Sequence, residues 1–280
     1  MNTNANSRYP RVLTIAGSDS GGGAGIQADL KTFAALGCFG TTAITALTAQ
    51  NTLGVRSIHA VPTQILADQV DAVAEDIGID AVKIGMLHSA ETVGTVAAAL
   101  RRHALETVVL DPVMIATSGA VLIDKEAIAV LVRELFPLAT LVTPNLDEAA
   151  LLVGRPLATE ADMEGAARQL LEMGANAVLL KGGHLSGETV SDLLLVRGEA
   201  PHWMRGPRIA TANTHGTGCT LSSAIAAHLA LGLPLRDAVE AARGFIRGAL
   251  EAGAGVRTGA GSGPLNHGYA PQAMRRLPLR

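Results

Sequence analysis

The sequence predicts an α/β fold of three layers, a mostly parallel central sheet between helices with a small flap beside it. Three observations lead there. Short apolar runs rich in β-branched residues alternate with longer amphipathic ones, the order that strands and helices take around a parallel sheet. Polar, charged and glycine residues follow most of the apolar runs, and ligands of such sheets bind beyond the carboxyl ends of the strands. No linker or shift in composition divides the 280 residues, 48% of them hydrophobic, so one large domain is expected.

The first strand is expected at Val12–Ala16, after a polar tail over residues 1–10 that has no apolar core of the signal-peptide kind. A turn through Gly17–Gly25 enters a helix at Ala24–Leu36, and a second strand follows at Thr41–Leu47. Asn51–Val61 is less regular and is assigned to the flap. Next come a helix at Pro62–Ile77, a strand at Ala81–Ile84, a helix at Ala90–Ala104 and a strand at Thr107–Leu110. Lys125–Leu135 is helical behind Asp124; Pro62 and Asp124 both stand where helices start. Thr140–Val142 forms a strand, Leu146–Val153 and Glu160–Met173 helices, and Ala177–Leu180 a buried strand. Thr189–Val196 and Pro201–Ile209, separated by Arg197-Gly198-Glu199, read as an antiparallel pair. Helices at Thr217–Leu231 and Pro234–Ala252 and a glycine-rich segment from Gly253 to Gly263 close the domain. Its bounds are set at 11–268, with a second tail over 269–280.

Composition removes several function classes. The formal charge is −3 with no basic block, and aromatics make up 2%, so neither a nucleic-acid surface nor a base-stacking platform has support. No apolar stretch approaches the roughly 18 to 20 residues of a membrane span. Cys38 and Cys219 make no disulfide framework and suit a reducing cytoplasm.

Asn213–Leu221 carries the strongest chemical signal. Gly216, Thr217 and Gly218 form a turn into a helix, whose first backbone N–H groups and positive dipole end bind anions. Cys219 falls in the first turn, where the same field favours thiolate, so it is expected to be more acidic than a free thiol. The residues after the other strands converge on the same rim: Gly17–Gly25, then Lys83, Gly85 and Met86, then Asp111–Met114, Thr143–Glu148 and Lys181–His184. Asp111, Asn145 and Glu148 offer oxygen donors of the kind that hold Mg²⁺, often through water. Asn145 and Glu148 equally match a helix capping box, and both readings stand. Lys181 at a strand end is placed to neutralise a transferring phosphoryl group. Gly17–Gly25 does not cleanly meet the dinucleotide spacing G-x-G-x-x-G, and no P-loop sequence occurs. His59, His88, His184 and His215 have no zinc spacing and are read as structural or supporting. Cys38 is read as a core filler.

With these residues assembled, the chain resembles the hydroxymethylpyrimidine/phosphomethylpyrimidine kinases of thiamine biosynthesis, within the ribokinase-like superfamily. The resemblance runs from about Val12 to His267. It rests on Ala16–Phe33, Ile44–Thr52, Lys83–Leu87, Val109–Met114, Thr143–Ala149, Lys181–His184, Asn213–Ala227 and Gly263–His267. Gly21 departs from it, since a serine is expected there. The resemblance implies an ATP- and Mg²⁺-dependent kinase of 4-amino-5-hydroxymethyl-2-methylpyrimidine and of its monophosphate, acting in the cytoplasm as a homodimer. It implies that Asp29, Gln50 and Met86 face the pyrimidine. It places Cys219 where related enzymes carry an Asp as base, with Lys181, Gly216 and Gly218 as its catalytic company. Nucleotide would meet Lys181, Asn145, Thr217 and Gly218, and the metal Asp111 and Glu148. Gln50 suits the ring because one amide carries both a donor and an acceptor. A pyridoxal or pyridoxine kinase is the nearest alternative, an inactive nucleotide-binding regulator a distant one. A Rossmann oxidoreductase ranks lower still.

Overall fold

Alternation along the strands decides which helices cover which face. The computed structural model describes residues 6–114 and 123–279. After a two-residue β1 (Ser7–Arg8) come β2 (Arg11–Asp19), α1 (Gly25–Ala35), β3 (Phe39–Asn51), β4 (Gly54–Ala60), α2 (Thr63–Ala72) and β5 (Ala81–Ile84). The middle of the chain gives α3 (Ala90–Arg102), β6 (Val108–Leu110), α4 (Lys125–Leu135), β7 (Leu141–Val142), α5 (Leu146–Val153), α6 (Glu160–Glu172) and β8 (Ala177–Leu180). β9 (Thr189–Val196), β10 (His202–Pro207), α7 (Thr217–Ala230), α8 (Leu235–Gly253) and β11 (Leu277–Pro278) complete it.

Nine strands form one sheet in the order β10-β9-β8-β7-β6-β5-β2-β3-β4. The six from β8 to β3 run parallel, and β4, β9 and β10 add antiparallel edges. Leu13, Ile15, Val82, Ile84, Leu110 and Val178 face one core together with Leu66, Val93, Leu131 and Met163 of α2, α3, α4 and α6. Their strand neighbours Val12, Ala81, Val109 and Leu179 face the other, with Phe33 of α1, Leu221 of α7 and Val239 of α8. Both sheet faces are therefore dry, which is why these strands read as continuous apolar runs.

The expected elements are present, with three differences. β3 runs on to Asn51 and pairs with β4, so the flap is a regular β-hairpin continuous with the sheet. The helix expected over Pro62–Ile77 runs as α2 to Ala72 and widens into a π-turn at Val73–Ile77. The two segments expected as loose tails meet: Ser7 pairs with Pro278 and Arg8 with Leu277, and Asp80 accepts hydrogen bonds from Arg8 and Arg11 side chains. The chain leaves β2 for β3 on one side and returns to β5 on the other, a reversal of strand order that opens a crevice at the carboxyl end of β2.

Candidate active site

A cavity of about 810 Å³ occupies that crevice and reaches along the rim to β9, β10 and α8. Its floor is the start of α7. Gly216 caps that helix with φ +85°, a left-handed conformation, and a Cβ there would overlap the Gly23 carbonyl. Only glycine suits both demands. The glycine loop after β2 and the anion turn before α7 thus touch through backbone alone. Thr217 and Gly218 line the cavity, and the Thr217 hydroxyl donates to Thr214 O at 2.7 Å. A Cβ on Gly218 would stand 3.2 Å from Lys181 Nζ and 3.7 Å from Asp111 Oδ2, so the first turn of α7 opens directly onto that ion pair.

Lys181 donates to Asp111 Oδ1 at 2.8 Å. Asp111 also accepts from Thr143 Oγ1 and Ser222 Oγ. Burial penalises the Asp111 carboxylate, yet Lys181 and Lys83 hold it below the usual carboxylate range. Burial likewise opposes the Lys181 charge, and Asp111 and Glu148 more than offset it, leaving the ammonium above its ordinary value. Glu148 is different. Burial pushes its carboxyl up to about 7; Asp111 adds to the rise and Lys181 opposes it. The capping box that competed with the metal reading is present: Glu148 N donates to Asn145 Oδ1 and Asn145 N to Glu148 Oε2. Asn145, Glu148 and Lys181 line the cavity even so, because Asn145 and Lys181 sit opposite one another at the ends of neighbouring strands. Among the described residues no three His, Cys, Asp or Glu side chains gather as a self-sufficient metal site.

Two expectations fail here. Cys219 lies at the cavity floor as expected, but burial pushes its thiol up to about 11. Lys83 pulls it down, while Asp29 and Asp111 raise it further. The helix terminus does not outweigh the loss of water, so the expected acidic thiol is corrected to a protonated one. Asp29 does not line the cavity. It is fully buried beneath it, with Lys83 Nζ 3.0 Å from each of its oxygens, and accepts from Thr14 Oγ1 and Ser223 Oγ at 2.6 Å each. Lys83 lies within β5, whose bounds are those of the expected strand Ala81–Ile84, on the face that α1 and α7 cover. Burial opposes its charge, and Asp29 holds the ammonium above its ordinary value. This ion pair ties α1, α7 and β5 together, and Ser223 is one turn of helix beyond Cys219.

Gln50 and Met86 do line the cavity, from β3 and from just after β5. Met86 packs against Gly17, where a Cβ would come within 2.7 Å of its Cε. Asp19, given no role by sequence reasoning, and His215, read there as structural or supporting, stand beside them. Asp19 accepts from the backbone N–H of Gly21, Gly23 and Ala24 and from His215 Nε2 at 3.0 Å. Burial works against its charge, but these bonds hold the carboxyl below its usual range. An Asp followed by glycines was a legible signal, since its carboxylate accepts from the turn it opens. No signal linked it to a histidine 196 residues away.

A doubly covered parallel sheet, a glycine anion turn at a helix start and a lysine–carboxylate pair on one rim define a small-molecule kinase of ribokinase-like architecture. The chain belongs to the phosphomethylpyrimidine kinase family, whose sequence model matches residues 19–266. It is 52% identical to the hydroxymethylpyrimidine/phosphomethylpyrimidine kinase of Rhizobium meliloti over 257 residues, 91% of this chain and 96% of that one. It is 53% identical to the thiamine biosynthesis bifunctional protein ThiED of Geobacter sulfurreducens over 97% of this chain, but spans only 55% of that longer protein. Among solved structures, an ADP complex of Bacillus subtilis pyridoxal kinase superposes with a TM-score of 0.85 at 38% identity, covering 92% of this chain and 97% of that one.

Proposed function

We propose that this protein transfers the γ-phosphoryl group of ATP to the hydroxymethyl oxygen of 4-amino-5-hydroxymethyl-2-methylpyrimidine. It then phosphorylates the monophosphate to the diphosphate used in thiamine biosynthesis. One observation carries the reading. In a chain of this family, Gln50, the Lys181–Asp111 pair and the first turn of α7 all open on one cavity.

The hydroxymethyl oxygen bonds to the γ-phosphorus as the bond to the β–γ bridging oxygen breaks and ADP leaves. The backbone N–H groups of Gly216 and Gly218 and the Lys181 ammonium stabilise the charge on the moving group. Cys219 takes the hydroxyl proton only as thiolate: its thiol, pushed up to about 11, first gives its own proton to solvent, and the hydroxyl proton then passes to sulfur late, once the oxygen–phosphorus bond is forming. A loose transition state asks for positioning and charge stabilisation more than for early deprotonation. Asn145, Thr217 and Gly218 line the phosphate end of the cavity, and Met86 and Gln50 its ring end. Asp29 supports the floor without touching substrate. The donors fit Mg²⁺ brought with ATP. A carboxyl raised to about 7 beside a second carboxylate is short of positive charge, and a divalent cation would supply it. Asp111 and Glu148 would hold that ion, and it would neutralise phosphate oxygens.

The protein works as a homodimer in the cytoplasm. Exposed Leu47, Leu53 and Ile58 on the β3–β4 hairpin and two unpaired cysteines support this. The test is ADP release measured side by side with hydroxymethylpyrimidine, its monophosphate and pyridoxal. Both pyrimidines are expected to turn over with kcat/KM above that of pyridoxal. Turnover of pyridoxal with neither pyrimidine active would overturn the reading.

A further inference from the structure

His215 is held from four sides. Its ring occupies space that only a glycine at 23 leaves open, because a Cβ there would meet Cδ2 at 2.5 Å. Its backbone N–H donates to Gly263 O, and His215 pairs with Pro264 across a short parallel bridge. Its Nε2 is 3.0 Å from Asp19 Oδ2 and 3.3 Å from Gln50 Nε2. Asp19 already accepts from three backbone N–H groups, and a carboxylate so placed is ionised and accepts only. The proton between the two therefore belongs to His215 Nε2.

A protonated Nε2 facing an amide nitrogen sets donor against donor. The other end of the Gln50 amide meets the same conflict. Gln50 Oε1 is 3.1 Å from Thr48 Oγ1, whose single proton lies on the shorter bond to Ser18 O at 2.9 Å. Acceptor then faces acceptor. Both conflicts vanish if the amide is turned end for end, with oxygen toward His215 and nitrogen toward Thr48; the two ends of an amide are told apart by their partners.

We propose that His215, oriented by Asp19, is the residue that determines ring specificity, by fixing the direction in which the Gln50 amide presents its donor and its acceptor. In the turned amide, Thr48 takes one N–H, and the single Nε2 proton of His215, shared between Asp19 Oδ2 and the amide oxygen, engages one lone pair. The second N–H and the second lone pair remain as a parallel pair on the free edge. That pair matches an amidine edge, in which a ring nitrogen accepts and the neighbouring exocyclic amino group donates. The match has one direction: ring nitrogen on the Thr48 side, amino group on the His215 side. In the aminopyrimidine the hydroxymethyl carbon follows next around the ring, which points the reactive hydroxyl toward Gly216–Cys219, the residues that follow His215 in the chain. The opposite polarity would seat the ring with that hydroxyl away from the anion turn. One imidazole tautomer thus couples recognition to the site of transfer.

The inference rests on the pyrimidine reading above and sharpens it. The test is calorimetric affinity for two ligands, 4-amino-5-hydroxymethyl-2-methylpyrimidine and its 4-oxo counterpart, whose edge carries the reversed acceptor and donor. The full-length protein should prefer the amino compound by at least about tenfold, since a buried polar group facing its like is left unpaired. His215→Leu should bring the ratio to within about threefold while still binding both. Nitrogen-15 NMR of the unsubstituted protein, labelled at histidine, gives a readout that needs no variant: the His215 signal should show a protonated Nε2. An unchanged ratio in His215→Leu, or an unprotonated Nε2, overturns this inference and leaves the pyrimidine reading intact. Failure of the unsubstituted protein to bind either compound overturns both.

Discussion

Cys219 shows how one residue answers to two fields, a helix terminus that favours thiolate and a cavity floor, packed near Asp29 and Asp111, that disfavours it. The floor wins. Its thiolate fraction at pH 7 is then about one part in ten thousand, and alkylation by iodoacetamide should climb about tenfold per pH unit through pH 9. A plateau below pH 8 would restore the acidic thiol. Cys219→Ala should still lower kcat by about two to four orders of magnitude with little change in KM for ATP, because backbone amides hold the phosphate. Turnover near the unsubstituted rate would remove Cys219 from proton transfer. The buried Lys83–Asp29 pair makes a different demand. Lys83→Met alone should cost about 3 to 5 kcal/mol in urea unfolding by stranding a charge, while replacing both partners with apolar residues should cost much less. Equal losses would mean that the pair's attraction, and not a stranded charge, sets the cost. The spacing Ile26, Asp29, Phe33 does put Asp29 on the buried stripe of α1, so its burial was readable. Its lysine, 54 residues further on in an apolar strand, was not.

At the scale of elements, the strands buried on both faces were the legible ones, because burial writes a continuous apolar run into the sequence. β3 was read only as far as Leu47 because Thr48–Asn51 leave the helix-covered part of the sheet, and nothing requires apolar side chains there. The polar end of β3 is what carries Gln50 into the cavity. Gln50→Leu should accordingly weaken pyrimidine binding by roughly 5- to 150-fold and leave nucleotide affinity unchanged. Calorimetry showing equal losses for both ligands would mean that the hairpin itself is disturbed. The anion turn is the stiffest junction. Gly216→Ala would need a side chain in a left-handed residue against the Gly23 carbonyl, so nucleotide binding should fall at least about tenfold together with a lowered Tm. An unchanged Tm with full nucleotide affinity would show that the two loops can part. Gly21, where a serine was expected, has Asp19 Oδ1, Asn51 Cα and Gln50 O at 3.1 to 3.3 Å from a would-be Cβ; the narrow gap fits the smaller residue.

For the whole molecule, pH acts through histidines kept neutral. Burial, with the charge of Lys31 adding, holds His267 down to about 4, and it shares a hydrogen bond of 2.9 Å with Thr220 of α7. Its folded value lies below its unfolded one of 6.5, so stability is complete above pH 6.5 and is lost as pH falls toward 4. His267→Gln should flatten that fall, reducing the loss between pH 7 and 4.5 by about 2 kcal/mol in denaturant titrations. Identical slopes would show the imidazole to be solvated. The rim could be listed from the sequence but not wired from it. Asp19, Gln50, Lys181 and His215 come together only when the two halves of the sheet close, and no local pattern records such a meeting. The pairing of Ser7–Arg8 with Leu277–Pro278 has its own consequence. It lies beside Asp80, at the amino end of β5 and across the sheet from the cavity. Residues 7–8 and 277–278 therefore lie together at that end of the sheet, where a ring closed through them would shorten the unfolded chain's reach without nearing the reaction. A circular permutant reopened on that same side should keep its catalysis, with its topology rewritten and its chemistry untouched.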